Sequence, residues 1–138
     1  MRYLLDTSVL SEVRRPRGDA GVKRWISSVS TRDLYLSVLT LGEVRRGIGL
    51  LRRRDSAQAD VYEAWLVTVL RDFSDRVLPI DAEVAEEWGR MNVPDPVPVV
   101  DGLMAATAKV RNMTFVTRNT ADVARTGVRL PNPCDSST

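Results

Sequence analysis

Histidine is absent from this chain of 138 residues, and Cys134 is its one cysteine. The lack of histidine excludes Ser-His-Asp triads, Cys-His pairs and histidine metal ligands. A single cysteine excludes a disulfide within the chain, a CxxC motif and a thiolate zinc site. Lysine offers little as a base, because Lys23 and Lys109 are the only two. Chemistry near neutral pH therefore falls mainly to carboxylates, whose oxygens favour a hard metal ion.

Long apolar runs are also lacking. No stretch approaches the roughly 18 residues that a membrane span needs, and the apolar run at the N-terminus is too short for a signal peptide. Twenty basic and eighteen acidic residues give a net charge of +2, which permits an anionic partner without requiring one. The length fits one domain. We expect a soluble, cytoplasmic protein with no membrane partner.

Short apolar strands alternate with helical segments along the chain. Strands are predicted at residues 3–5, 34–38, 77–80 and 114–117, with a candidate fifth strand at 128–130. Helices are predicted at residues 9–14, 20–29, 40–53, 56–73, 82–91 and 102–111. Apolar strands without polar alternation are typical of a parallel sheet that is covered on both faces. The pattern predicts an α/β domain over residues 1–130 and a polar tail over 131–138.

Three carboxylates fall where a predicted strand gives way to a helix. Asp6 directly follows the first strand, Glu43 lies in the first turn of the helix after the second, and Asp101 begins the helix before the fourth. Ligands of parallel α/β sheets bind at the carboxyl ends of the strands. Carboxylates gathered there repel one another unless they are protonated or neutralised. A divalent cation with oxygen ligands would neutralise them.

Helix capping is the simpler interpretation of each of these acids. Asp6 and Asp101 are suitable N-cap residues, and Glu43 completes a capping box with Thr40. Two further acids are predicted to be caps and nothing more, namely Asp55 and Asp81.

The residues after Asp101 favour a functional role for it. Gly102, Ala105, Ala106 and Ala108 are small, so their helix can pack closely against neighbouring backbone. The N-terminus of this helix, with Asp101, can therefore be held deep in the structure.

Five segments carry a family resemblance: YLLDTSVLSE at 3–12, LSVLTLGEV at 36–44, VDGLMAATA at 100–108, TFVTRNTAD at 114–122 and LPNP at 130–133. Together they resemble the PIN-domain ribonucleases, specifically the VapC-type toxins of toxin–antitoxin pairs. The matching segments span nearly the whole chain in the family's order.

The resemblance implies a three-layer α/β/α fold with a central parallel sheet, and an acidic pocket that binds Mg²⁺, with Mn²⁺ as a substitute. Asp6, Glu43 and Asp101 match the family's three core acids and are its implied metal ligands. Many members have a fourth acid after the fourth strand, where this chain has Asn119, with Asp122 three residues on. Either Asp122 supplies that carboxylate or the site works with three.

The resemblance also implies an endoribonuclease that acts as a toxin, with a cognate antitoxin as its partner and a homodimer as its assembly. A metal-activated water would attack the RNA phosphate, leaving 5′-phosphate and 3′-hydroxyl ends. Four polar residues beside the acids are predicted to support the ligands or contact the substrate: Thr7, Ser8, Thr117 and Arg118.

Arginines cluster near two of the acids and beside the fourth strand. They suit a basic rim for an RNA backbone, and equally a solvated face or antitoxin contacts. They are Arg14, Arg15, Arg17, Arg45, Arg46, Arg52, Arg53, Arg54 and Arg118. The three tryptophans lie in apolar helical patterns, which predict core or interface packing rather than base stacking. They are Trp25, Trp65 and Trp88.

Two alternatives remain open. Asn119 in place of the fourth acid suits a catalytically impaired PIN-like module that binds RNA or an antitoxin without cleaving. A phosphoacceptor receiver-like domain also gathers acids beside Mg²⁺, but neither Lys23 nor Lys109 lies on a late strand where such a domain needs a lysine.

Overall fold

The computed structural model describes residues 1–14 and 18–126, except for the side chains of Asp122 and Arg125. Several predicted features lie outside the described residues. They are Arg15, Arg17, the candidate fifth strand at 128–130, the LPNP segment and the tail with Cys134.

Four parallel strands form the sheet, as the sequence predicts. They are β1 (Tyr3–Leu5), β2 (Leu34–Ser37), β3 (Val77–Leu78) and β4 (Thr114–Val116). The strand order is β3-β2-β1-β4. β1 is flanked on both sides, with Leu4 in register with Tyr35 of β2 and Phe115 of β4.

Seven α-helices connect and cover these strands in the part of the chain that the structure describes. They are α1 (Thr7–Arg14), α2 (Ala20–Ser28), α3 (Val38–Arg52), α4 (Ser56–Asp72), α5 (Ala82–Met91), α6 (Val99–Val110) and α7 (Thr120–Val123). Asp55 and Asp81 cap α4 and α5 as predicted, by accepting from the backbone N–H groups of Gln58 and Val84. Asp81 does more than cap, because it also pairs with Arg111 at 2.7 Å. None of the described helices is long and apolar enough to span a membrane.

The two faces of the sheet pack against different helices. Successive side chains of a strand point to opposite faces, so Leu4 and Leu5 enter two separate clusters of buried residues. Leu4 packs with Val84 of α5 and Met104 of α6, and Leu5 packs with helices α1, α2 and α4. This arrangement is the predicted three-layer fold. The tryptophans pack against these clusters as predicted, Trp88 on the first and Trp25 and Trp65 on the second.

The prediction for the start of α3 is wrong. The helix begins at Val38, and Ser37 caps it by accepting from the backbone N–H of Leu39 at 3.0 Å. Thr40 is therefore a buried residue inside the helix, and the capping box of Thr40 with Glu43 does not form. Glu43 falls in the second turn of α3 rather than the first.

α6 also begins earlier than predicted, at Val99, so Asp101 lies in the first turn and is not the cap. The N-cap is Pro98, whose carbonyl accepts from the Gly102 backbone N–H at 2.8 Å. Gly102 is needed here because a Cβ at this position would lie 2.5 Å from Cγ2 of Val97 and 3.3 Å from the Trp88 ring. The close packing predicted for this helix is therefore observed.

β3 is shorter than the predicted 77–80. Leu78 is in register with Ser37, the last residue of β2. Beyond that pair, the neighbouring chain has already turned into α3. Residues 79 and 80 consequently have no strand beside them to continue the ladder.

Candidate active site at the carboxyl ends of the strands

The parallel sheet brings the segments after β1, β2 and β4 to one edge. Asp6 follows β1, α3 starts directly after β2, and Thr117 follows β4. α6 ends shortly before β4 begins, and at about 1.5 Å per residue its length of about 18 Å exceeds that of β4. The start of α6, which carries Asp101, therefore lies towards the same edge.

Asp6 is the most enclosed of the three candidate acids, with 4% of its surface exposed. Its Oδ2 accepts hydrogen bonds from the hydroxyls of Thr117 at 2.7 Å and Ser8 at 3.0 Å. Its backbone N–H donates to the carbonyl of Val116 at 2.9 Å, which extends the pairing of β1 with β4. Within the part of the chain that the structure describes, which excludes the Arg125 side chain, Oδ1 accepts no hydrogen bond and no basic side chain pairs with this carboxylate. The carboxylate is thus fixed through one oxygen, without a cation from the described side chains.

The turn after β4 supports Asp6 and contains Asn119. The buried Thr117 hydroxyl donates to Asp6 and accepts from the backbone N–H of Asn119 at 3.0 Å. The Asn119 side chain is exposed and makes no capping bond to α7. Asp122 lies in α7, and its side chain is outside the described residues. Which of the two takes the place of the fourth acid stays a prediction.

Glu43 is joined to the Asp6 segment through Thr7. The Thr7 hydroxyl donates to Oε1 of Glu43 at 2.5 Å and lies 3.1 Å from the hydroxyl of Thr40. These contacts connect α1 with α3. The sequence does not predict this contact of Thr40, because a threonine three residues before a glutamate indicates a capping box.

Asp101 is half-buried in the first turn of α6. Among the side chains that the structure describes, which do not include that of Asp122, no three of His, Cys, Asp or Glu lie close enough to form a ready-made metal centre. Mg²⁺ commonly binds through one or two carboxylates, with waters and substrate phosphates completing its shell. The buried Asp6, with its open oxygen, suits such an ion. The assignment of Asp6, Glu43 and Asp101 as its ligands stays a prediction.

Glu12 forms a second buried carboxylate centre, which sequence reasoning missed. It is 8% exposed, and its Oε1 accepts from Nη1 of Arg118 at 2.8 Å while Oε2 accepts from the Asp19 backbone N–H at 2.7 Å. Arg118, predicted to support the site, thus pairs with Glu12 while directly following Thr117. A buried glutamate needs a partner, but the sequence does not mark Glu12 as buried, because Ser11 and Arg14 lie beside it in the same segment.

A groove of about 340 Å³ begins beside Thr7 and Glu43 and lies between one face of each of α1, α3 and α4. We call it the α3–α4 groove. Its lining residues are Thr7, Ser11, Glu43, Val44, Gly47, Ile48, Leu51, Arg54, Gln58, Tyr62 and Trp65.

Internal contacts neutralise part of the predicted basic rim. Arg45 pairs with Glu63 at 2.7 Å, and Arg52 pairs with Asp60 at 2.9 Å. Four rim arginines have no ion pair within the described part of the chain, namely Arg14, Arg46, Arg53 and Arg54. The rim that could meet an RNA backbone is therefore smaller than the sequence suggests.

Comparisons with known proteins agree with the motifs. The family model of the PIN domain matches residues 3–128. The chain is similar to Toxin FitB of Neisseria gonorrhoeae, with 33% identity over 94% of this chain and 96% of that protein. It is similar to VapC ribonuclease Y4jK of Sinorhizobium fredii, with 29% identity over 94% of this chain and 96% of that protein. A solved structure of FitAB bound to an IR36 DNA fragment matches with a TM-score of 0.89 and 32% identity, over 99% of this chain and 98% of that one. These matches confirm the resemblance inferred from the sequence.

Proposed function

Because the chain belongs to the PIN-domain family, we propose that it is a metal-dependent endoribonuclease and the toxin of a toxin–antitoxin pair. The observation that carries this proposal is the environment of Asp6. A buried carboxylate held only by hydroxyl groups, with no cation from the described chain, favours an external cation.

Carboxylate oxygens at the edge of the sheet would hold Mg²⁺ or Mn²⁺, with Asp6 and Asp101 binding directly or through water and Glu43 nearby. The bound ion would lower the pKa of a water molecule and offset the charge that develops on the phosphate. Thr117 and Ser8 hold Oδ2 of Asp6, which leaves Oδ1 for a ligand.

Glu43 has a different task in this proposal. The Thr7 hydroxyl donates to its Oε1 and restricts the rotation of the carboxylate. The other oxygen, Oε2, can then accept a hydrogen bond from the attacking water and orient it towards phosphorus. Attack in line with the 3′ oxygen releases 5′-phosphate and 3′-hydroxyl ends. This route needs neither histidine nor the ribose 2′-hydroxyl, which suits a chain without histidine.

Similar proteins support the proposed substrate and partner. One relative is named a VapC ribonuclease and another a toxin, and a similar structure contains FitAB. We accordingly propose an RNA substrate, a cognate antitoxin that covers the acidic edge, a homodimeric assembly and action in the cytoplasm.

Cleavage of a structured RNA tests the enzymatic proposal. Purified protein should cleave the RNA in the presence of Mg²⁺ or Mn²⁺, and cleavage should stop when EDTA is added. Asp6→Asn and Asp101→Asn should each abolish cleavage, while Asp55→Asn, which changes a helix cap on α4, should retain it. Cleavage that survives EDTA and both site substitutions would overturn the proposal.

A catalytically impaired binding module is the second candidate. It is favoured by the absence of a three-carboxylate centre among the described residues and by Asn119 in the fourth-acid position. Calorimetric titration with Mn²⁺ separates the two candidates. Tight RNA binding without metal binding would favour the module, whereas saturable metal binding would favour the nuclease.

A further inference from the structure

The α3–α4 groove continues directly from the candidate active site. Thr7 and Glu43, which are hydrogen bonded to each other, line its first end. From there the groove follows one face of α3 to Leu51, a distance of about 12 Å at 1.5 Å per residue. A ligand in this groove would therefore extend away from the acids along α3.

The walls of the groove combine apolar, aromatic and cationic groups. Val44, Ile48 and Leu51 form the α3 side, and Tyr62 and Trp65 stand on the α4 side. Arg54 lies at the far end beside Gln58. No carboxylate in the described part of the chain pairs with Arg54, so its charge is available to a ligand.

The aromatic wall is held in place and carries additional positive charge. Tyr62 and Trp65 meet edge to face, with ring centroids 6.4 Å apart. The Arg14 guanidinium lies 3.9 Å from the Tyr62 centroid and 5.9 Å from that of Trp65. Trp65 also packs against the core cluster on its side of the sheet. A preformed wall of this kind loses little freedom when a flat ligand binds.

We propose that the α3–α4 groove binds one nucleotide of the RNA next to the scissile phosphate, with its base against Tyr62 and Trp65 and a phosphate near Arg54. This inference rests on the proposed nuclease function. An RNA cut within its length must continue beyond the acids on both sides, and aromatic side chains with a nearby cation are the usual means of holding a single strand. Gln58 offers a donor and an acceptor to the edge of the base.

Two glycines of α3 provide a matched steric test. A Cβ at Gly47 or at Gly49 would meet no atom within 4 Å, so neither site is crowded, but only Gly47 lines the groove. Gly47→Phe should fill the groove and raise KM for RNA cleavage about tenfold, since base–aromatic stacking alone accounts for roughly that factor. Gly49→Phe should leave KM within about twofold of the wild type, and the melting temperatures of both variants check their folding.

Charge supplies an independent test. RNA affinity is measured by fluorescence anisotropy in the Asp6→Asn background, so that the strand stays intact. Adding Arg54→Gln should lower the slope of log affinity against log salt by about one, the effect of losing one phosphate contact. Arg24→Gln removes an exposed charge on α2 that does not line the groove, and it should leave the slope unchanged.

The outcomes separate this inference from the proposed function. If wild-type protein cleaves no RNA, the nuclease proposal fails, while loss of RNA binding in Gly47→Phe but not Gly49→Phe would still support the groove. Equal KM and RNA affinity in both phenylalanine variants would overturn the inference. It would also be overturned if Gly47→Phe kept RNA binding and lost only antitoxin binding, because the groove would then be a protein-docking surface.

Discussion

Asp6 and Glu12 are buried carboxylates six residues apart, and they differ in their hydrogen-bond and ion-pair partners. Glu12 uses both oxygens, one for the Arg118 guanidinium and one for a backbone N–H. Asp6 receives two hydroxyls on a single oxygen and no cation from the described residues. Since a buried charge is costly without a partner, the fold itself neutralises Glu12, and we propose that an external ion neutralises Asp6.

We accordingly propose a structural role for Glu12 and a functional role for Asp6. Both lie within the same LLDTSVLSE stretch, and both are more than nine-tenths buried. Removing the charge of Glu12 should mainly cost stability, and removing that of Asp6 should mainly cost activity.

Asp6→Asn should give the largest effect. We expect RNA cleavage to fall by at least about 10²–10³-fold, the range seen when a key electrostatic group of an active site is removed. In EDTA the variant should be more stable than the wild type by about 0.5–2 kcal/mol, because a buried charge that no described cation neutralises is removed. Cleavage assays and thermal melts check the two effects. If Asp6→Asn were less stable than the wild type and still active, Asp6 would behave as a structural acid like Glu12.

Thr117→Val tests the hydroxyl that fixes Asp6. Its methyl groups keep the buried shape, but Oδ2 loses its 2.7 Å hydrogen bond. Cleavage and Mn²⁺ affinity should both fall about 10–100-fold, as for other groups that orient metal ligands. Thr117→Ser, which retains the hydroxyl, should recover most of the loss. Equal activity of the valine and serine variants would show that Asp6 needs no such support.

Glu12→Gln should act in the opposite way to Asp6→Asn. The amide cannot neutralise Arg118, and its NH₂ group opposes one of the two donors. Because Arg118 is partly exposed, we expect a loss of about 1–2 kcal/mol rather than the full cost of a buried pair. Glu63→Gln, at a surface pair with Arg45, should cost less than about 1 kcal/mol. Equal losses in denaturant unfolding would contradict this account.

Substitution of Glu87, which pairs with Lys109 and Arg90, should have the smallest effect on stability. The hydrogen bond from Lys109 holds the pKa of Glu87 below its ordinary value, assisted by Arg90 and opposed by partial burial. A lowered folded-state pKa contributes stability above the ordinary pKa, and this contribution is lost as pH falls through the folded-state value. Glu87→Gln should therefore be less stable than the wild type at neutral pH, by less than about 1 kcal/mol of unfolding free energy. Thermal melts over a range of pH should show this gap in stability closing on acidification. A constant gap would exclude the ion pair as its cause.

Much of the framework could be predicted from local sequence. The apolar strands, the caps Asp55 and Asp81 and the small-residue helix α6 each depend on neighbours along the chain. Placement of Asp6 and Glu43 at one edge of the sheet followed from the parallel topology.

Contacts between distant segments could not be predicted in the same way. α3 begins at Val38 because β2 ends there and Ser37 provides the cap, which leaves Thr40 free to contact Thr7. The Glu12–Arg118 pair joins residues that are more than 100 positions apart. Burial, rather than residue type, decides which charges need each other.

The most direct test of whether Asp6 binds a cation is calorimetric titration with Mn²⁺. The titration is carried out on the wild type, Asp6→Asn and Glu12→Gln. We expect saturable binding to the wild type and to Glu12→Gln, and its loss in Asp6→Asn. Binding that is unchanged in Asp6→Asn, or absent from the wild type, would contradict that assignment.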